Sequence, residues 1–142
     1  MNYETMKAKI NHLQHVGIPV TSLSNSIAFY QKFGFTNIMD KTFEHDAGKG
    51  NVAMMKLGEI IIELYQMPPA VLAEIRGRKN GHIDHIAFDV DDIEAMFEEL
   101  KNLHFNIIED APVTLPFWKK GCKYFNIAGP DGERLEFNQI LK

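Results

Sequence analysis

Two histidines and two glutamates occupy matching places in this chain of 142 residues, and they are the side chains best suited to chemistry. His15 and His85 each begin an apolar alternating segment, and Glu63 and Glu136 each lie in a later one. Imidazole nitrogens and carboxylate oxygens suit a divalent cation such as Ni²⁺, Zn²⁺, Co²⁺ or Mn²⁺. The pattern therefore predicts one divalent metal ion per site, with octahedral positions left for water or substrate.

The four side chains point away from the apolar faces of their strands, because successive side chains of a strand alternate between faces. A lone strand histidine is more often structural or exposed than a ligand, and Glu63 taken alone has an ordinary surface interpretation. However, Glu63 lies in the apolar run Glu59-Ile-Ile-Ile-Glu-Leu-Tyr65. A carboxylate buried there without a partner would cost several kcal/mol, and a bound cation removes that difficulty.

An internal repeat relates these residues. The segment His15-Val-Gly-Ile-Pro-Val20 matches His85-Ile-Ala-Phe-Asp-Val90, and the two histidines are 70 residues apart. Each copy predicts a strand, a helix and three further strands, so we expect an α+β fold of two tandem βαβββ modules. The modules are predicted at 10–67 and 82–141, with a linker at 68–81, in one compact domain. Their curved mixed sheet is expected to surround a metal cleft.

The predicted elements follow from apolar periodicity and turn residues. The first helix is expected to be capped by Thr21 or Ser22, and the second by Asp91. Strands are expected near 13–20, 36–44, 51–57 and 59–66, and again near 82–90, 105–113, 122–128 and 133–140. A short helix is expected at 70–76, and a turn at Gly129–Gly132. The helical faces expected to pack are Leu23, Ile27, Tyr30 and Phe33, and Ile93, Met96, Phe97, Leu100 and Leu103.

Composition narrows the class of protein. The formal net charge is −4 without a basic stripe, which argues against nucleic acid as a partner. The single cysteine, Cys122, excludes an internal disulfide framework and is expected to be a packing residue. The first residues lack the apolar core of a signal peptide, and apolar runs fall short of the roughly 20 residues that span a bilayer. We therefore expect a cytoplasmic protein without membrane contact.

The assembled motifs resemble the vicinal oxygen chelate superfamily, and among its members bacterial glyoxalase I (lactoylglutathione lyase). The resemblance spans about residues 10 to 141. It is carried by Gln14-His-Val-Gly-Ile18, Ser26-Ile-Ala-Phe-Tyr30 with Gly34-Phe35, Ile62-Glu-Leu64, Asp84-His-Ile-Ala87 and Gly129-Pro-Asp-Gly132 with Arg134-Leu-Glu-Phe137.

The resemblance implies the glyoxalase/bleomycin resistance/dioxygenase fold, a homodimer, and a metal bound by His15, Glu63, His85 and Glu136. It implies a lyase or isomerase that moves a proton through a metal-stabilised enediolate. Glu136 matches the usual base, and Glu63 is its counterpart. Apart from the resemblance, substrate binding is assigned to Trp118, Lys119 and Lys120. The two lysines, together with Arg76 and Arg78, are candidates for holding an anionic thiol tail, and Trp118 lies in a candidate substrate-covering loop at 116–121. A solvated linker and an exposed connection are the alternative interpretations.

Other activities of such a superfamily stay open. An epimerase of the methylmalonyl-CoA type, or one acting on another acyl-CoA, sugar or keto acid, uses the same enolate chemistry. Those epimerases commonly have Gln at the position of Glu63, which favours glyoxalase I. A fosfomycin-type resistance enzyme and a metal-free binding protein are further alternatives. His12 and His82 each lie three residues before a proposed ligand and are predicted to be structural or exposed.

Overall fold

The computed structural model describes residues 6–78, 83–128 and 134–142. Its elements confirm the α+β class and the two βαβββ modules. The first module contains β1 (Ile10–Pro19), α1 (Leu23–Gln31), β2 (Thr36–His45), β3 (Gly48–Leu57) and β4 (Ile60–Gln66). A 3₁₀ turn (Pro69–Val71) and α2 (Leu72–Gly77) follow. The second module contains β5 (His85–Val90), α3 (Ile93–Asn102), β6 (Val113–Leu115), β7 (Cys122–Ala128) and β8 (Arg134–Ile140). The predicted turn at Gly129–Gly132 lies outside the described residues.

One compact unit consists of residues 15–86. Its strand order is β2-β3-β4-β1, in which β1 and β4 run parallel and the other neighbours run antiparallel. Its buried core consists of Phe35, Ala53, Met55 and Leu64. The helix α1 covers this core with Leu23, Ile27 and Tyr30, which are partly buried, as the spacing of these residues predicts.

The other compact unit consists of the residues before His15 together with those after Ile86. Its strand order is β5-β8-β7-β6, and β8, β7 and β6 pair antiparallel. The predicted face of α3 packs into an apolar core whose buried members are Val90, Ile93, Met96, Phe97, Leu100, Phe125, Ile127 and Phe137. The rings of Phe125 and Phe137 stack at a centroid distance of 5.2 Å.

The first residue of each module helix bonds to the last strand of its own module. The N–H of Leu23 donates to Gln66 Oε1 at 2.8 Å, and the N–H of Ile93 donates to Gln139 Oε1 at 3.0 Å. Each glutamine follows the glutamate of its module by three residues. The strand that carries the glutamate therefore also fixes the start of the helix.

The side-chain caps differ in one respect from the predicted ones. Ser22 caps α1, which is one of the two predicted residues, and accepts from the N–H of Asn25. The cap of α3 is Asp92 and not Asp91, since the Asp92 carboxylate accepts from the N–H of Ala95 at 3.0 Å. The backbone of Asp92 is extended, as an N-cap requires, and the helix begins one residue later than predicted.

The strand predicted at 105–113 is wrong, because β6 covers only Val113–Leu115. Within the predicted range, pairing with β7 before β6 is limited to one isolated bridge between Ile107 and Ile127. In that bridge the carbonyl of Asn106 accepts the N–H of Ala128, and Ile108 donates its N–H to the carbonyl of Asn126. At the next position the Glu109 carboxylate accepts both the N–H and the side-chain amide of Asn126. The Glu109 carboxylate thus takes the place of the backbone carbonyl that would continue the strand pairing. Pro112 has no N–H, so it cannot restore the hydrogen-bond pattern.

Two residues predicted for the packed helical faces are exposed. Phe33 is 62% exposed and Leu103 is 44% exposed. Both lie beyond the last helical residue, where Gly34 and His104 have positive φ and turn the chain. The helices have nine, six and ten residues, and within the described part of the chain none is long and apolar enough to cross a membrane.

Candidate metal centre

Three of the four predicted ligands, His15, Glu63 and His85, converge within the unit of residues 15–86. The Nε2 atoms of His15 and His85 are 3.3 Å apart. Glu63 Oε2 lies 3.6 Å from His15 Nε2, and Glu63 Oε1 lies 3.4 Å from His85 Nε2. All three residues are buried. Two imidazoles and a carboxylate therefore present their donor atoms to one small volume.

The spacing of these donor atoms fits a divalent cation. Nitrogen and oxygen ligands about 2.0–2.2 Å from one ion, at tetrahedral or octahedral angles, lie roughly 2.8–3.6 Å from each other. The three separations between the donor atoms, 3.3, 3.4 and 3.6 Å, fall within that interval. Neutral imidazole together with carboxylate is the donor set that Zn²⁺, Ni²⁺, Co²⁺ and Mn²⁺ accept. The residues present therefore fit the predicted metal.

The parallel pairing of β1 with β4 positions two of the predicted ligands. In its register Gly17 lies beside Glu63, so the glutamate lies two residues past His15 along the paired strands. His15 and Gly17 share a face of β1, because side chains on a strand alternate. Glu63 also pairs with Met54 of β3, which is fully buried. The Glu63 carboxylate therefore projects from an interior strand, β4, which is paired with β1 on one side and with β3 on the other.

Gly17 makes room for His85, the third predicted ligand. A Cβ built at position 17 would lie 2.1 Å from Cε1 of His85, and within 2.6 Å of both ring nitrogens. The His85 ring therefore lies against the backbone of β1 where only glycine leaves the space. Tyr65, two residues beyond Glu63, flanks the same ring at a centroid distance of 6.2 Å. Together these contacts define the plane and position of the imidazole.

Asp84 is a site residue whose role the sequence reasoning missed. Its Oδ2 lies 2.9 Å from His85 Nδ1, on the side of the ring opposite Nε2. Its Oδ1 accepts from Arg78, which makes two further hydrogen bonds to Glu74. The hydrogen bond from Arg78 to the Glu74 carboxylate is the main reason that the pKa of Arg78 is raised. The only signal in the sequence was an acidic residue directly before a proposed ligand.

A family model matches residues 10–137, and its description is the glyoxalase/bleomycin resistance protein/dioxygenase superfamily. The chain belongs to this superfamily. The match extends from the first module into the last strand of the second and includes all four predicted ligands, and it confirms the predicted resemblance to the vicinal oxygen chelate superfamily and its fold. Members of this superfamily often bind divalent metal ions, and the cluster of His15, Glu63 and His85 is a possible site for one.

Relatives and solved structures agree with this membership. Two relatives of unassigned activity are YwbC of Bacillus subtilis, with 32% identity over 89% of this chain and 96% of its own, and YaeR of Escherichia coli, with 31% identity over 89% and 95%. The methylmalonyl-CoA epimerase of Mycobacterium tuberculosis superposes with a TM-score of 0.80 over 99% of this chain and 95% of its own, at 19% identity. The Streptomyces coelicolor enzyme of that name, in complex with 2-nitronate-propionyl-CoA, has a TM-score of 0.77 over 94% and 100%, at 21% identity. These two structures show a shared fold.

Glu136, the fourth ligand expected of a superfamily member, lies on β8 in the other compact unit. It is buried, and its Oε2 accepts from Asn138 Nδ2 at 3.1 Å. Asn138 in turn accepts from Gln14 Nε2 at 3.1 Å. The carboxylate is thus held by a buried amide pair within its own unit. Its binding to the same metal stays a prediction.

The remaining candidates belong to the other compact unit or lie outside the described residues. Lys119 and Lys120 are exposed in the connection between β6 and β7, and Trp118 there is partly buried with a φ of 66°. His12 is exposed, with Nδ1 3.9 Å from Asp89 Oδ2. Cys122 is buried as expected, and His82 lies outside the described residues. The role of Trp118, Lys119 and Lys120 in binding substrate stays a prediction.

Proposed function

We propose that the protein is a divalent-metal-dependent enzyme that transfers a proton at a carbon next to a carbonyl group. The observation that carries the proposal is the convergence of His15, Glu63 and His85, whose donor atoms lie 3.3–3.6 Å apart in a buried place. A hydrophobic interior does not keep two imidazoles and a carboxylate together without compensation for their lost hydration. A cation supplies that compensation.

Two substrates fit this chemistry, and each is favoured by a different observation. Epimerisation of an acyl-CoA thioester, of the methylmalonyl-CoA type, is favoured by the likeness of the fold to solved epimerases. Isomerisation of the hemithioacetal of methylglyoxal and glutathione is favoured by the carboxylate at Glu63, where such epimerases commonly have Gln. We rank the epimerase first because the structural likeness covers nearly the whole chain in both proteins.

In either reaction His15, Glu63, His85 and Glu136 would hold the cation. When bound, a divalent cation stabilises the negative charge that develops on the substrate oxygen as the proton leaves carbon. Glu136 is the proposed base and takes the proton from the carbon. For the glyoxalase reaction Glu136 returns the proton to the adjacent carbon, with Glu63 as its near-symmetric counterpart, and for epimerisation a proton is delivered to the opposite face of the same carbon.

Both substrates carry a long thiol tail with negative charge. We propose that Lys119 and Lys120, which are exposed, bind the anionic part of that tail, and that Trp118 covers it. Long-range attraction between two lysines and a multiply charged tail raises the rate of encounter. The predicted homodimer belongs to this proposal as well, since relatives of the glyoxalase I type often form their site between two chains.

The first test is metal analysis of the purified protein, followed by two assays in deuterium oxide. One assay follows deuterium incorporation at the α-carbon of methylmalonyl-CoA, and the other follows lactoyl thioester formation from methylglyoxal and glutathione. Turnover in one assay, lost on chelation and restored by one equivalent of metal, is the expected result. A protein that binds metal without exchanging a proton in either substrate class would contradict the proposal and favour a resistance or binding role.

A further inference from the structure

The residue directly before the predicted histidine ligand makes different contacts in the two modules. Under the repeat Gln14 corresponds to Asp84, since each directly precedes a predicted ligand. Gln14 donates to Asn138 and Asp89, whereas Asp84 Oδ2 contacts Nδ1 of the adjacent His85. The carboxylate of Asp84 therefore contacts the ring of His85, whereas the residue at the matching position in the other copy, Gln14, carries an amide. The difference is a property of the side chains and not of the fold.

Asp84 is itself held in place by an ion pair with Arg78. Its Oδ1 accepts from Arg78 at 3.4 Å, and Arg78 forms a two-pronged pair with Glu74 of α2 at 2.9 and 3.1 Å. Arg78 is about a quarter exposed and Asp84 about a seventh, so both are shielded from bulk water. A planar guanidinium that contacts two carboxylates holds both in a defined orientation. The helix α2 is thus connected to the His85 ring through two ion pairs.

From these contacts we infer that Asp84 is a positioning residue for the metal centre, and that Arg78 acts through it. The inference rests on the proposed function, because it concerns the metal of that same site. Asp84 accepts a hydrogen bond from Nδ1 of His85, which places the ring proton there and leaves the lone pair of Nε2 for the cation. Nε2 is the His85 atom that faces His15 and Glu63.

The ring of His85 has little freedom apart from this contact. Gly17 lies against one part of the ring and Tyr65 flanks it, so the contact with Asp84 mainly selects the tautomer. The negative charge of Asp84 also makes Nε2 a stronger donor to a cation. Removal of such a supporting group typically weakens metal binding by about ten- to a hundredfold.

The experiment compares zinc affinity and histidine spectra in variants of the full chain. Zinc affinity is measured by competition with a chelator, and the Nδ1–H proton of His85 is followed by NMR in the zinc-loaded protein. Asp84→Ala is expected to weaken zinc binding by about ten- to a hundredfold and to abolish the slowly exchanging Nδ1–H signal. Asp84→Asn retains an acceptor oxygen and is expected to show a smaller loss and a weakened signal. Arg78→Met is expected to show an intermediate loss.

Asp46→Asn is the matched control, because it removes one negative charge from an exposed turn of the same unit. It is expected to change neither zinc affinity nor the His85 signal, and thermal unfolding of the metal-free proteins confirms that each variant folds. Unchanged affinity and an unchanged Nδ1–H signal in both Asp84 variants would overturn the role of Asp84 while leaving the metal centre standing. A wild-type protein that takes up no zinc, nickel, cobalt or manganese would overturn the proposed function and the role of Asp84 with it.

Discussion

The imidazole of His85 occupies the space in which residue 17 would carry a side chain, since a Cβ on Gly17 would lie 2.1 Å from His85 Cε1. We therefore expect Gly17→Ala to displace the ring, to weaken metal binding by at least about tenfold, and to destabilise the fold by roughly 1–3 kcal/mol through overpacking. Chelator competition and chemical unfolding measure the two effects. Gly77→Ala is the control, because open space surrounds that position. Equal metal affinity for both variants would contradict the proposed placement of His85.

Loss of either imidazole should abolish tight metal binding. His15 is 1% exposed and faces both other ligands, so His15→Ala removes a donor that bulk water replaces poorly. We expect metal content after dialysis to fall from about one equivalent to near zero. His12→Ala is the matched control on the same strand and should retain its metal, because His12 is exposed. Full metal retention in His15→Ala would show that the cluster is not the binding site.

The two glutamates should differ when each is changed to glutamine. Glu136→Gln preserves the shape of the side chain and the partnership with Asn138 but removes the basic oxygen. Turnover is expected to fall by a factor on the order of 10² or more while much of the metal is retained. Glu63→Gln should be milder, because some relatives function with Gln there. Both variants are compared for turnover and deuterium incorporation, with Glu98→Gln on the exposed side of α3 as the control.

That comparison also identifies the base. If Glu63→Gln loses more turnover than Glu136→Gln at equal metal occupancy, the two assigned roles are reversed. If both variants turn over normally, neither glutamate is the base.

The glutamines at the helix starts should contribute to stability. Gln66 and Gln139 each accept the N–H of the first residue of a helix, at 2.8 and 3.0 Å. Replacement of either by alanine leaves that N–H without its side-chain acceptor, and we expect a loss of about 1 kcal/mol in the free energy of unfolding. Urea unfolding of each variant measures the effect. Losses within error of zero for both would mean that Ser22 and Asp92 suffice as caps.

The order of elements and the three converging ligands could be predicted from the sequence. Alternation is a local property, so the apolar faces of β1 and β4 already indicate that His15 and Glu63 point the same way. The repeat then relates His15 to His85 without any knowledge of distances. These inferences need only the period of a strand and the recurrence of one pattern.

The supporting residues could not be predicted in this way. The contact between Asp84 and His85 depends on the rotamers of both side chains, which sequence spacing does not determine. Gln66 bonds to a residue 43 positions away, and Gln139 to one 46 positions away, so neither cap has a local signature. The interrupted strand before β6 depends on Glu109, whose carboxylate substitutes for backbone in one position of the ladder. Each of these features depends on the conformation that one side chain adopts in the folded protein.

The interruption at Glu109 has an evolutionary consequence. The interval from His85 to Glu136 is three residues longer than that from His15 to Glu63, and the second module has its irregular stretch between α3 and β7. The segment before β6 is held by the Glu109 carboxylate and by one isolated bridge. Such a segment tolerates inserted or deleted residues better than a strand that is paired along its whole length. Diverging lineages are therefore expected to vary in length between residues 103 and 121 and to keep β4 and β8 constant in length. Selection for new substrates can then act on that stretch while the predicted metal ligands remain unchanged.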